Sequence, residues 1–285
     1  MQSSVDNART SSIGWTDLPF AVTQLPFFLT HIVALGAFLV PFHWRYVALA
    51  AALYYVRMFG VSAGYHRYFA HRTFKTSRLF QFVLAWLAVS SAQRGVLWWA
   101  GHHRRHHQES DQPNDLHSPV QRGFWWSHVG WLLSRESSNT DTDRVRDLAE
   151  YPELRWLDKW HIVPPLVLGT TLYLAGGWPA LVWGYFVSTT LLWHGTFTVN
   201  SLSHLFGSRR YPTPDNSRNN WLLTLVTLGE GWHNNHHFYQ GAAAQGHMWW
   251  EFDPALYALK VLSWLGVIWD VRKPPRRVFE AAARQ

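Results

Sequence analysis

Residues 98–107 read Trp-Trp-Ala-Gly-His-His-Arg-Arg-His-His. Imidazole is costly to dehydrate, and four of them within six positions repel one another when protonated. A bound metal gives such a cluster a reason to exist. Counted from His103, the spacing H-x-x-H-H recurs at His233, His236 and His237. Positions i, i+3 and i+4 share one face of a helix, and neutral imidazole is a good ligand for divalent iron, zinc and copper. Two such faces can enclose a metal centre between them. A third set, His66 and His71, lies five residues apart. That is not a same-face spacing on a straight α-helix, so His66 is expected at a helix end and His71 beyond it, each available to a different ion. Asn200 and His204 share a face at i, i+4. His102 falls outside the i, i+3, i+4 set begun by His103 and is expected to face away.

These groups need elements to hold them, and the composition says where those lie. Trp is abundant, at 19 of 285 residues, and 48% of the chain is apolar. Indole favours the bilayer interface, where its ring is buried and its N–H is wet. With no Cys, disulfide frameworks and thiolate-held metals are excluded. Any metal here has nitrogen or oxygen ligands. The formal charge of +7 suits an anionic lipid surface. The bases are spread along the chain and no nucleic-acid motif is present, so a nucleic-acid partner is not expected.

Residues 1–23 read as a cytosolic tail, since their polar, mixed-charge start lacks the basic n-region and apolar run of a signal peptide. The stretch 24–42 has no formal charge and is long enough to cross about 30 Å of hydrocarbon. A second apolar run, 46–64, is interrupted only by Arg57, which must face protein or snorkel to an interface. Segments 160–176 and 178–198 form a further hairpin, joined at Gly176-Gly177-Trp178-Pro179. His31, His161 and His194 lie in or near these runs and read as structural. The shorter apolar stretch near 79–92 reads as an interfacial helix, because it separates two histidine sets that must meet. The expected architecture is an all-α membrane protein with four transmembrane helices in two hairpins. A cytosolic helical cap, 67–159 and 205–237, holds the histidine site, the core runs 24–237, and 238–285 is a cytosolic C-terminal section with a basic tail.

Charge placement supports this topology. Thirteen Lys and Arg lie between Arg67 and Lys159 and nine between Arg209 and Arg284, leaving only Arg9, Arg45 and Arg57 elsewhere. The positive-inside rule puts both basic segments in the cytoplasm. Every histidine of these sets then falls on the cytoplasmic side of the membrane.

The set His66-x-x-x-x-His71, His103-x-x-His106-His107, Asn200-x-x-x-His204 and His233-x-x-His236-His237 resembles the integral-membrane fatty acid desaturases of the delta-9, stearoyl type. Gly64-Tyr65-His66-Arg67, the run 123–133 (GFWWSHVGWLL), the run 200–207 (NSLSHLFG) and the run 229–237 (GEGWHNNHH) extend the likeness, which is closest to the bacterial and cyanobacterial branch. The resemblance implies two iron ions held by His66, His71, His103, His106, His107, His204, His233, His236 and His237, with Asn200 contacting one through water. It implies consumption of O2, two electrons from an external donor such as ferredoxin or another small redox protein, and two protons, to place a cis double bond between C9 and C10 of a saturated acyl chain. Gln93, Trp99 and Thr196 are candidates for shaping a bent substrate tunnel. The family's length-setting positions fall on Tyr54 and Met58, whereas ideal helical geometry offers Tyr55 and Phe59 below His66. Animal acyl-CoA enzymes carry Arg-Asp before the second box, and this chain has Gly101-His102, which favours an acyl group on membrane lipid over acyl-CoA. A membrane hydroxylase of fatty acids or alkanes uses similar boxes and is the alternative. A non-catalytic metal-binding membrane protein is the third possibility.

Overall fold

A computed structural model describes residues 20–283, so most of the tail expected over 1–23, with Arg9, and also Arg284, lie outside the described residues. Three stretches are long and apolar enough to cross a membrane: Val22–Leu39, Trp44–Ala70 and Val163–His204. The first is the helix Phe20–Ala34, closed by a 3-10 turn Leu35–Leu39. At the tight connection that follows, His43 caps the next helix, Nδ1 accepting from the Arg45 amide at 3.1 Å.

The second helix, Trp44–Phe59, does not stop near 64 but widens into a π-helix over Gly60–Ala70. Arg57, buried within it, donates to Ser188 Oγ at 2.5 Å and Thr189 Oγ1 at 2.7 Å, so it faces protein rather than lipid. The Arg78–Val89 helix packs back along the π segment. A Cβ at Gly60 would meet the backbone of Leu87 and Ala88 at 2.9 Å, so only glycine permits this approach. The helix is too short and too packed to cross a bilayer alone, as expected for the 79–92 stretch. The chain then reverses and enters Val96–Glu109, which carries the second box.

The third apolar stretch is broken where expected. Gly176 (φ −148°) and Gly177 (φ 64°) leave helical geometry, and the left-handed value suits glycine alone. The two arms fold onto each other, with Gly184 lying against Leu172. The second arm continues through Ser188–Ser201 into a 3-10 turn at Leu202–His204.

The cap is made of short helices and ordered loops. The section 238–285 is woven into it rather than standing apart. Ile268–Trp269 pairs antiparallel with Lys75–Thr76, and the Arg272 amide donates to Thr73 O at 2.8 Å. Arg67, buried on the π segment, is held by Asp253 at 2.9 Å and by Glu230 at 3.2 Å.

Candidate metal centre

The nine box histidines come together in two groups. His66, His71, His103, His107 and His236 form one, and His106, His204, His233 and His237 the other, with the possible ligand atoms of each group within 4.8 Å of one another. The second and third boxes each contribute to both groups. The first box contributes only to the five-histidine group, which overturns the expectation that His66 and His71 serve different ions. The widened helix is the reason. The His71 amide bonds to His66 O at 3.1 Å, an i to i−5 contact, so residues five apart lie one turn apart instead of on opposed faces.

The ring nitrogens face one another. His66 Nε2 lies 3.0 Å from His236 Nε2, His71 Nε2 2.8 Å from His103 Nε2, His107 Nε2 2.9 Å from His236 Nε2, and His204 Nε2 3.0 Å from His233 Nε2. Two imidazole nitrogens about 2.1 Å from a shared ion and about 90° apart would be separated by about 3.0 Å. The spacing therefore fits ligands around a common cation.

Proton placement points the same way. His106 Nδ1 donates to Asp115 at 3.0 Å, His204 Nδ1 to Asp111 at 2.9 Å, and His237 Nδ1 to Asp215 at 2.7 Å. His66 Nδ1 pairs with Glu230, which also accepts from Gln245 Nε2 at 2.6 Å and from Ser62. A carboxylate on Nδ1 fixes the tautomer and turns the Nε2 lone pair inward. His237 Nε2 is buried with no hydrogen-bond partner. Lone pairs aimed at one another in a dry cluster repel unless a cation lies between them.

Electrostatics keep most of the ligands neutral. Burial, then repulsion from neighbouring histidines, pushes His71, His103, His107, His233 and His236 well below the usual imidazole range. Burial lowers His237 to about 4 although Asp215 opposes it. At His106 burial is outweighed by Asp115, and its pKa rises. Burial would raise the Glu230 carboxyl, but His66 and Arg67 hold it at about 2.

The carboxylates, and Gln245, do not stand out in the sequence. Asp111 and Asp115 follow the second box closely and Glu230 precedes the third, so an acid near a histidine box is the available signal. His117 belongs to this set as well, sitting beside Asp115 and His106 as a possible third ligand group.

Beside the centre runs a cavity bordered by His103, Asn200, Trp99, Gln93 and Thr196. Gln93 Nε2 donates to Thr196 Oγ1 at 3.0 Å, and Trp99 stacks on both Tyr65 and His103. Asn200 lines this space and belongs to neither histidine group. Tyr54 and Met58 are not on the wall but stand behind it at Gly195, next to Thr196. His102 and His161 also border the cavity, and His102 Nδ1 is tied to Trp98 O at 2.9 Å. His31 and His194 satisfy each other at 3.1 Å, and His194 meets His128 at 3.0 Å.

The fatty acid desaturase model matches residues 19–261. A sn-1 stearoyl-lipid 9-desaturase of Synechocystis is 39% identical over 254 residues, 87% of this chain and 80% of the relative. A sn-2 palmitoyl-lipid 9-desaturase of Nostoc is 36% identical, covering 82% of this chain and 84% of that one. An acyl-CoA 5-desaturase of Anemone leveillei is 36% identical, covering 86% and 77%. With its apolar helices and its histidine clusters, the protein is a membrane oxidoreductase acting on fatty acyl chains, and it belongs to the fatty acid desaturase family.

Proposed function

We propose that the protein is an oxygen-dependent delta-9 desaturase acting on saturated acyl chains esterified to membrane lipid. The observation that carries this reading is the convergence of nine inward-facing imidazoles, in groups of five and four, beside an aromatic cavity. His66, His71, His103, His107 and His236 would hold one iron, and His106, His204, His233 and His237 the other, with Asn200 reaching the second through water. When bound, the iron pair supplies O2 activation, so that one O2, two electrons and two protons are consumed as two hydrogens leave adjacent methylenes and two waters form.

This chain's residues do the rest. Asp111, Asp115, Asp215 and Glu230 hold the Nδ1 protons of His204, His106, His237 and His66 so that the opposite nitrogen of each stays free. Trp99, flat against His103, would form a dry wall along the acyl chain, and the hydrogen-bonded Gln93 and Thr196 beside it would shape its bend. Such a wall would present only two carbons to the centre, which is a positioning effect. Regiochemistry at C9 is supported by the two cyanobacterial relatives, and acyl-lipid as carrier by those relatives together with Gly101-His102 where a charged pair would grip CoA.

The four crossings would be Phe20–Leu39, the second helix up to its π segment, and the two arms of the Gly176-Gly177 hairpin. The positive-inside rule puts the cap and the box histidines in the cytoplasm of a bacterial cell, where an external donor such as ferredoxin would deliver electrons. Expression in a host that lacks unsaturated fatty acids tests the reading. Lipids lighter by two hydrogens, with the double bond between C9 and C10, are expected. A product heavier by one oxygen would instead make the protein a hydroxylase.

A further inference from the structure

The C-terminal section carries a second pocket, away from the acyl cavity, whose polar lining has one sign. Lys260, Arg272 and Lys273 border it with His247, Trp264 and Phe279, and no Asp or Glu is among its lining residues. Its volume of about 660 Å³ lies within the ~300–1,000 Å³ common for ligand sites. None of the three cations makes a side-chain hydrogen bond or ion pair among the described residues, and Lys260 has only the face of the Tyr257 ring, 5.7 Å from its centroid. The acids nearby are already engaged: Glu251 with Arg210, Asp253 with Arg67, and Asp270 with Lys75.

His247 adds an independent observation. It is 7% exposed, and its Nε2 is buried without a partner. Its Nδ1 lies 3.0 Å from Tyr211 Oη, whose pKa burial raises to about 12. A phenol that keeps its proton donates to Nδ1, which leaves Nε2–H as an unused donor beside three cations that no carboxylate holds. Four donors with no acceptor make a place for an anion.

The pocket also has an apolar rim on one side. Tyr257, Val261 and Trp264 lie at i, i+4 and i+7 of the Pro254–Trp264 helix, and Trp264 is 81% and Leu265 70% exposed. This helix is tied by hydrogen bonds to the second of the apolar helices long enough to span a membrane. The Ala255 amide donates to Leu228 O, and the Trp221–Thr227 helix just before Leu228 takes the Tyr54 hydroxyl of the second span on Val226 O at 2.7 Å. Exposed aromatics beside basic side chains are the chemistry of a bilayer interface.

We infer that this pocket binds the phosphate of an anionic phospholipid headgroup, with the Tyr257–Val261–Trp264 stripe seated in the interface beside it. The site rests on the membrane placement of the protein and not on desaturation. It also adjoins the metal centre, because Ala244 and Gly246 of its lining flank Gln245, whose amide holds Glu230 on His66.

The test uses the iron-loaded full chain in nanodiscs of mixed phosphatidylglycerol and phosphatidylcholine, with the retained lipid read by native mass spectrometry. Phosphatidylglycerol is expected to be enriched over its share of the disc. The exposed cations are replaced together as Lys260→Gln, Arg272→Gln and Lys273→Gln, and enrichment should fall by roughly fivefold per cation removed. His247→Leu, which leaves the net charge of the rim intact, should weaken it as well, whereas diffuse attraction alone would ignore that change. Equal enrichment in the wild type and the triple variant would overturn the assignment. So would binding of inorganic phosphate in detergent without any phosphatidylglycerol enrichment, which gives the pocket to a soluble phosphate compound. A small acidic redox protein held by the wild type and released by the triple variant, again without lipid enrichment, would overturn it in favour of a protein partner.

Discussion

Asp215→Asn isolates the step in which a carboxylate prepares a ligand. Asp215 accepts from His237 Nδ1 at 2.7 Å through one oxygen and from the Ser217 amide at 2.9 Å through the other. Asparagine keeps the shape but offers only one acceptor. If its oxygen faces His237, its NH2 opposes the Ser217 N–H. If it turns, the NH2 opposes Nδ1 and drives the imidazole proton to Nε2, the atom that should bind metal. Leaving a buried donor unpaired costs about 1–3 kcal/mol. Losing an outer-shell partner of a metal-bound histidine typically weakens metal affinity by about 10–100-fold, close to 1.4–2.7 kcal/mol, so the two magnitudes agree. Titrating the iron-loaded full chain with a chelator reads this directly. The variant should release one of its two ions at roughly 10–100-fold lower chelator, while the five-histidine group keeps its ion. Unchanged release of both would refute the reasoning that Asp215 sets the tautomer of a ligand. Loss of both together would show that the two groups are not separable sites.

Met58→Ala should open space behind Gly195 and shift products toward longer chains with the bond still at C9, read by lipid analysis. If Phe59→Ala shifts the profile and Met58→Ala does not, the floor lies on the face below His66. His31→Ala and His161→Ala should keep measurable activity, whereas His106→Ala should empty the four-histidine group and abolish activity without preventing membrane insertion. In membranes given reductant, labelled saturated phospholipid should be desaturated without passing through a CoA ester, and conversion of acyl-CoA alone would sink the lipid carrier. The metal-free chain should lose thermal stability as pH falls below about 6.5. Six of the nine histidines have lowered pKa values in the fold, so below that pH the unfolded chain binds more protons and is favoured. His106 opposes the trend, its contribution being lost as pH rises through its raised value. A melting temperature that rises toward pH 5 would contradict this.

Eight of the nine histidines are legible in the sequence because their spacing is local and because little besides a bound metal favours so many imidazoles side by side, and His204 joins them only through the family resemblance. The hairpin at Gly176-Gly177 is legible for a similar reason, two glycines and a proline between apolar runs. The grouping is not. Whether His66 and His71 share an ion depends on the helix widening over Gly60–Ala70, and a 3.6-residue period carries no sign of that. Asp111 and Glu230 escape a sequence reading because their histidine partners are remote in the chain, Asp111 being 93 positions from His204, whereas Asp115 lies only nine from His106. The C-terminal section reads as an appendage because its ties to the centre, through Gln245 and Asp253, are side-chain contacts across the fold. Tyr54 and Met58 are placed by family resemblance, and the structure puts them behind Gly195 rather than on the cavity wall.

The central claim is that nine histidines hold two irons that desaturate an acyl chain. Its most direct test counts iron and oxygen in one preparation of the purified, reconstituted protein supplied with a reducing partner and saturated phospholipid. Two irons per chain and one O2 consumed per cis double bond formed between C9 and C10 are expected. A single metal ion per chain, or two irons with O2 consumed and oxygen inserted into the product, would contradict it.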